Sequence, residues 1–351
     1  MEPSFASRAF IRQATRGLEH LELLDRGRHI ARALAAHLPA AYPEAIDILL
    51  KSLGPEHAAD ELLGVGMAPF YYLPHLVFVA EQGLDHFDIS MRAQHELTKR
   101  FSAEFSIRVF IAKDPDRTLA VLNGWAADPH PHVRRLVSEG TRLRLPWAMR
   151  VAWLDANPGR VLDLLERLKD DPSTLVRRSV ANSLNDLGKV HPGLVIETCA
   201  AWLDRATPER RAMVRHALRS LVKRGDTRAL KLLGYGRAPS IAIEDVRFEP
   251  ARVAIGTRVT VRFAVRSRSN RAQHLLVDMA VHFVKANGRT APKVFTVKRL
   301  TLAPRERMAL QSRVSLALHT TRKPRAGLHP VDVIVNGHTT RVGAFTVTGA
   351  R

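Results

Sequence analysis

The chain has one cysteine, Cys199, in 351 residues. That excludes an intramolecular disulfide and any zinc site built from thiolates, and the residue is expected in a core. Acidic side chains are short in supply, 34 against 54 Lys and Arg, so a simple acidic or neutral surface is excluded as well. No apolar run reaches the roughly 18 residues of a membrane span, and the amino terminus lacks the charged-then-apolar pattern of a signal peptide. No membrane partner and a cytoplasmic location are therefore expected.

What is present is ordinary in amount and unusual in arrangement. A hydrophobic share of 46% and a charged share of 25% belong to globular protein, and the length suggests two domains. The net charge of +20 is uneven, with +14 on residues 241–351 and +6 on residues 1–240. Such an excess, carried more by Arg than by Lys, points to a polyanionic partner bound through phosphate.

One phrase occurs twice, as Asp128-Pro-His-Pro-His-Val-Arg-Arg-Leu-Val-Ser-Glu139 and Asp171-Pro-Ser-Thr-Leu-Val-Arg-Arg-Ser-Val-Ala-Asn182. The 43-residue offset between Val133 and Val176 falls in the range of HEAT or armadillo helical pairs. Each Asp-Pro reads as a turn and helix start, and Val133, Leu136, Val137, Val176, Val180 and Leu184 form core-facing stripes. Residues four apart share a face, so Arg135 lies with Glu139, and Arg178 with Asn182 and Asp186. The spacing predicts the same alternation on an earlier helix through Arg100, Glu104 and Arg108. Pro146 is expected to open a helix headed by Trp147.

A weaker third copy is read at Val214, 38 residues after Val176. There Arg211, Arg215, Arg219 and Lys223 recur every four residues. Like charges at that spacing oppose a helix, which a phosphate backbone would relieve. Gly64, Gly66, Pro69 and Pro74 bracket Phe70-Tyr71-Tyr72, read as an aromatic loop or short helix that caps a core. Beyond the linker Gly234–Pro239 the apolar period becomes two, for example along Val259, Val261, Phe263 and Val265. Asn-Gly turns at 287–288 and 336–337 help divide about seven or eight strands, as in an immunoglobulin-like sandwich.

Several of these stretches together resemble one family, the AlkC branch of the HEAT-like-repeat DNA alkylation repair proteins, which are 3-methyladenine DNA glycosylases. The resemblance is carried by Phe101-Ser-Ala-Glu-Phe-Ser-Ile-Arg108, Val133-Arg-Arg-Leu-Val-Ser-Glu-Gly-Thr-Arg-Leu-Arg-Leu-Pro-Trp147, Val176–Asp186 and Gly327-Leu-His-Pro-Val-Asp-Val-Ile-Val-Asn-Gly337. It spans nearly the whole chain, with a departure at Leu143 where the family pattern favours Pro. It implies an all-α HEAT-like repeat solenoid over 1–236 and an all-β immunoglobulin-like, DNA-contacting sandwich over 237–351.

The resemblance further implies that Glu104, Glu139 and Asp186 are active-site acids, that Trp147 is an aromatic wall and that Arg135 is a backbone clamp. Asn182 joins them on the substrate side. A base alkylated on a ring nitrogen is a cationic leaving group, so carboxylates that stabilise oxocarbenium character and place a water suffice. Carboxylates beside arginines stay ionised at neutral pH. The expected contacts to DNA are Arg178, Arg211, Arg215, Arg219 and Lys223, joined by Arg266, Arg268, Arg322 and Lys323 from turns of the sandwich; Lys298-Arg299 is also assigned to a turn.

The expected partner is alkylated double-stranded DNA, bound by a bacterial, nucleoid-associated monomer that needs no cofactor, metal or protein partner. Lys189 is the only amine near the acids, and a Schiff-base mechanism fits less well than direct hydrolysis. The rival reading is a non-catalytic HEAT-like adaptor for nucleic acid or protein, against which acids on the wall would count, since they repel phosphate. A metal site at Asp128, His130 and His132 is the weakest reading.

Overall fold

The computed structural model describes residues 5–57, 68–318 and 323–349. Gly64, Gly66 and Arg322 lie outside the described residues. The chain divides into two compact units, Met1–Ala217 and Leu218–Arg351.

The first unit is helical. Helices α1 (Ser7–Thr15), α2 (Leu23–His37), α3 (Tyr42–Lys51), α4 (Leu73–Gln82) and α5 (Phe87–Thr98) lead into α6 (Ile107–Lys113), α7 (Pro115–Trp125) and α8 (Pro131–Gly140). Then come α9 (Ala152–Ala156), α10 (Pro158–Leu168), α11 (Thr174–Val190), α12 (Pro192–Leu203) and α13 (Pro208–Ala217). Phe70-Tyr71-Tyr72 ends a 3-10 turn, Ala68–Tyr72, and Phe70 packs on Phe101 at 4.9 Å.

The repeated phrase makes the stack. Helix α11 packs against both α8 and α13, while α10 leans on α8 and α11, and α12 on α11 and α13. Asp128 and Asp171 turn the chain into α8 and α11 by accepting hydrogen bonds from the His130 and Ser173 amides, at 2.7 and 2.8 Å, which is turn chemistry suited to aspartate. The first arginine of each Val-Arg-Arg bonds back to that turn. Arg134 donates to the Asp128 and Pro129 carbonyls, and Arg177 to those of Asp171 and Pro172. Arg134 also grips Asp171 of the next repeat with two bonds of 2.6 and 3.0 Å.

Arg211 repeats this role in α13, donating to the Ala206 carbonyl at 3.1 Å. The third copy is therefore registered by Arg134, Arg177 and Arg211, each three residues past its helix start, and Val214 matches Val180 rather than Val176.

The four-residue basic stripe from Arg211 to Lys223 does not form one ladder. Helix α13 stops at Ala217 and Leu218 has a ψ of 0°, so Arg219 and Lys223 belong to a separate short helix, α14 (Arg219–Lys223). Repulsion between the arginines offers nothing to hold the helix through that point. The expected helix through Arg100, Glu104 and Arg108 is also absent. Residues 99–106 turn between α5 and α6, where Phe101, Ala103 and Ser106 are buried and the Thr98 hydroxyl accepts from the Ala103 amide. Side-chain hydroxyls compete with helical bonds in this way.

Among its described residues the second unit adds α15 (Thr227–Leu232) and eight strands: β1 (Ile241–Glu249), β2 (Arg252–Ala254), β3 (Arg258–Ser267), β4 (Gln273–Val284), β5 (Thr290–Leu302), β6 (Arg307–Ser315), β7 (Gly327–Val335) and β8 (His338–Thr348). They form a three-stranded sheet, β1-β3-β6, and a five-stranded sheet, β2-β8-β7-β4-β5, antiparallel except where β2 meets β8. Alternate residues of β3, Val259, Val261, Phe263 and Val265, face Leu275, Val277, Met279 and Val281 of β4 across one apolar core. Asn336 and Gly337, both at positive φ, make the two-residue β7–β8 turn, for which Asn-Gly is the favoured pair. Lys298 and Arg299 lie in β5 rather than a turn, since the β4–β5 hairpin is longer than the apolar run 294–297 indicated.

A carboxylate cluster held by three cations

Helix α8 ends on Glu139 and Gly140, and α11 runs alongside it. Glu139 is 5% exposed and Asp186, twelve residues into α11, is 1% exposed. The two carboxylates converge on one guanidinium: Arg142 donates from Nη1 to Glu139 Oε1 at 2.6 Å and from Nε to Asp186 Oδ2 at 2.8 Å. The other Glu139 oxygen accepts from Ser179 Oγ at 2.7 Å and lies 3.6 Å from Arg135 Nη2. That same Arg135 nitrogen reaches Glu104 Oε2 at 3.2 Å, and its Nη1 reaches Ser102 Oγ at 3.1 Å. Lys189 Nζ completes the set, 2.8 Å from Asp186 Oδ1.

Glu104, Glu139 and Asp186 are thus one connected cluster, although the first comes from a turn and the others from two helices. Burial by itself pushes the Glu139 carboxyl up. The Arg135 and Arg142 guanidinium groups and the Ser179 hydroxyl more than reverse this, leaving the acid below the usual carboxylate range. Glu139 is therefore an anion at neutral pH.

Trp147 is on a loop, not at a helix head. The segment between α8 and α9 buries Leu143 and Leu145 while leaving Trp147 70% exposed. Its shape is set by Arg108, 1% exposed, which donates bonds of 2.8 Å to the carbonyls of Gly140, Arg142 and Met149. Trp147, directly after Pro146, lies at positive φ, outside the right-handed helical region, so Pro146 starts no helix. Trp147 has φ of 64°, a costly backbone state for a bulky residue and one that clusters at ligand-binding positions.

The register of the repeats adds a residue that sequence spacing missed. Glu139, Asn182 and His216 each stand eight residues past their helix start, and Asn182 Oδ1 pairs with His216 Nε2 at 3.2 Å. Aligning the copies by Arg211 instead of Val214 would have found His216. Arg142 and Ser179 were given no role because nothing local distinguishes them from other residues of their type, and Arg108, expected on one stripe with Glu104, is instead buried beneath the loop.

The basic residues fare differently. Arg178 and Arg215 are exposed on α11 and α13. Arg211, though exposed, has its Nε in the turn bond described above. In the second unit Arg268 and Lys323 are exposed, whereas Arg266 sits in β3 and pairs with Glu244 at 3.0 Å. Asp128 accepts from His95 at 2.7 Å rather than joining His130 and His132 in a site, and no metal-holding group of His, Cys, Asp and Glu occurs among the described residues. No helix among them is long and apolar enough to cross a membrane.

Residues 100–221 match the family described as DNA alkylation repair enzyme, and residues 242–349 match the C-terminal immunoglobulin-like domain of the uncharacterised protein YhaZ. A relative from Bacillus subtilis (strain 168), the uncharacterised protein YhaZ, is 36% identical over 317 residues, which are 90% of this chain and 85% of that protein. The solved structure of the Pseudomonas fluorescens alkylpurine DNA glycosylase AlkC, bound to DNA containing an abasic site analogue, superimposes with a TM-score of 0.89. It is 37% identical and covers 99% of this chain and 94% of its own. The chain belongs to the AlkC-type DNA alkylation repair family. The helical and immunoglobulin-like parts expected of that family are both present.

Proposed function

We propose that the protein is a monofunctional DNA glycosylase that hydrolyses the N-glycosidic bond of cationic N-alkylated bases, chiefly 3-methyladenine, in duplex DNA. The observation that carries this reading is the convergence of Glu139 and Asp186 on Arg142, with Glu104 tied in through Arg135. Three acids gathered in a chain of net charge +20 suit a ligand that is a cation inside a polyanion; a plain duplex binder gains nothing from anions that repel phosphate.

The chemistry asks little of the protein. As the C1′–N bond breaks, its electrons leave with the base, which departs neutral. Positive charge develops on the sugar, where preorganised carboxylates stabilise it, and water adds to C1′ while losing a proton. Glu139 and Asp186 are assigned to that charge, Glu104 to the water or the sugar edge, and Trp147 to packing against the lesion nucleotide. Arg135, Asn182 and the exposed Arg178, Arg215, Arg268 and Lys323 are assigned to substrate and phosphate contacts. No amine attacks the sugar, so borohydride traps no adduct.

The test is release of methylated bases from methylated duplex DNA, without added metal, by the wild type and by Glu139→Gln and Asp186→Asn. Each substitution is expected to lower single-turnover excision by roughly a hundredfold or more, the usual weight of one electrostatic group in a transition state. Full excision by both folded variants would remove the assignment, and no excision by the wild type would remove the function.

A further inference from the structure

The two cations on Asp186 are not equivalent. Arg142 is locked: its side chain is 11% exposed, its guanidinium also serves Glu139, and its own carbonyl is bonded by Arg108. Lys189 is not. Its side chain is 43% exposed and, among the described residues, its ion-pair partner is Asp186, three residues earlier on α11. A half-exposed lysine pair at that spacing is weak, and its four-carbon stem swings into solvent at little cost. Asp186 is 1% exposed, with Oδ2 directed at Arg142 and Oδ1 at Lys189. The Lys189 ammonium therefore covers Oδ1.

We propose that Lys189 is a displaceable counter-ion: in the free protein it covers Asp186, and a nucleotide carrying its own positive charge takes its place. This rests on the assignment of Asp186 to the sugar under Proposed function and adds a competitor for that carboxylate. An undamaged, neutral nucleotide offers nothing in exchange for the ammonium, because moving it away would leave a buried carboxylate without its second cation. A cationic lesion replaces one charge with another. Lys189 thereby acts as an internal competitor for Asp186 that tempers the preference for cations, and its removal sharpens that preference.

Binding to two abasic-site duplexes tests this, one carrying a protonated pyrrolidine in place of the sugar and one a neutral tetrahydrofuran, at a single salt concentration. The readout is the ratio of the two Kd values, neutral over cationic. In Lys189→Gln the ratio is expected to rise roughly fivefold over wild type, the factor for the upper end of a half-exposed ion pair. Lys189→Arg, which keeps a cation on Asp186, leaves it near the wild-type value. An equal weakening of both duplexes in Lys189→Gln would make Lys189 a phosphate contact and overturn the proposal. A ratio that is unchanged or lower would overturn it too. If the wild type has no preference for the cationic duplex, the reading of Asp186 fails before any substitution is made, so the two failures are told apart.

Discussion

Replacing Arg108 by Met removes a buried guanidinium and nothing else of similar size. Arg108 donates three 2.8 Å bonds to carbonyls of the loop that carries Arg142 and Trp147. Bonds from a charged donor contribute about 1.5–3 kcal/mol each, or roughly 4–9 kcal/mol together. Against this stands the burial of the charge, which pulls the Arg108 pKa down to about 10 and corresponds to roughly 3 kcal/mol of unfavourable desolvation. The difference, about 3 kcal/mol in favour of the arginine, is what Arg108→Met should lose. All four tryptophans, Trp125, Trp147, Trp153 and Trp202, lie in the first unit, so their fluorescence follows that unit alone through urea unfolding. With slopes of about 1–3 kcal/mol per molar, the midpoint is expected to fall by roughly 1–3 M. Excision should fall with it even under conditions where the variant is fully folded, since the loop no longer holds Arg142 between its acids. A midpoint within about 0.3 M of wild type, with excision unchanged, would refute the claim that this arginine shapes the site.

Further tests follow from the same geometry. Because the folded Glu139 carboxyl titrates below its ordinary value near 4.5, its stabilising contribution is complete above that pH and is lost as pH falls through the folded value; urea titrations from pH 3 to 7 should show Glu139→Gln without that part of the acid-side slope. Burial raises the Cys199 thiol to about 12, so thiol reagents at pH 8 should label the native protein only as the first unit unfolds, and rapid labelling in buffer would contradict the packing of α12. Arg215→Gln should lower the slope of log K against log salt by about 0.9 for damaged and undamaged duplex alike. Arg211→Gln should instead lower the unfolding midpoint, since its Nε holds the turn before α13; equal effects from both would erase the distinction drawn between them.

The sequence by itself determined the two-part architecture. A phrase repeated at 43 residues specifies helices that stack in register, and a change of apolar period from helical spacing to two announces the sandwich, because both signals are local properties of which side chains must leave water. Glu139 and Asp186 were legible for the same reason, each on one face of its own helix. Only the tertiary structure decided that they meet, since the guanidinium joining them lies 44 positions from Asp186. Tertiary contacts also overrode local expectation where the two conflicted. Pro146 would open a helix if its surroundings were free, but the loop is tied on both sides of it to Arg108, at the Gly140, Arg142 and Met149 carbonyls, and Trp147 takes a positive φ. Spacing predicts what neighbours along the chain share; a buried charge must find its partners wherever the fold brings them, and that is settled by packing.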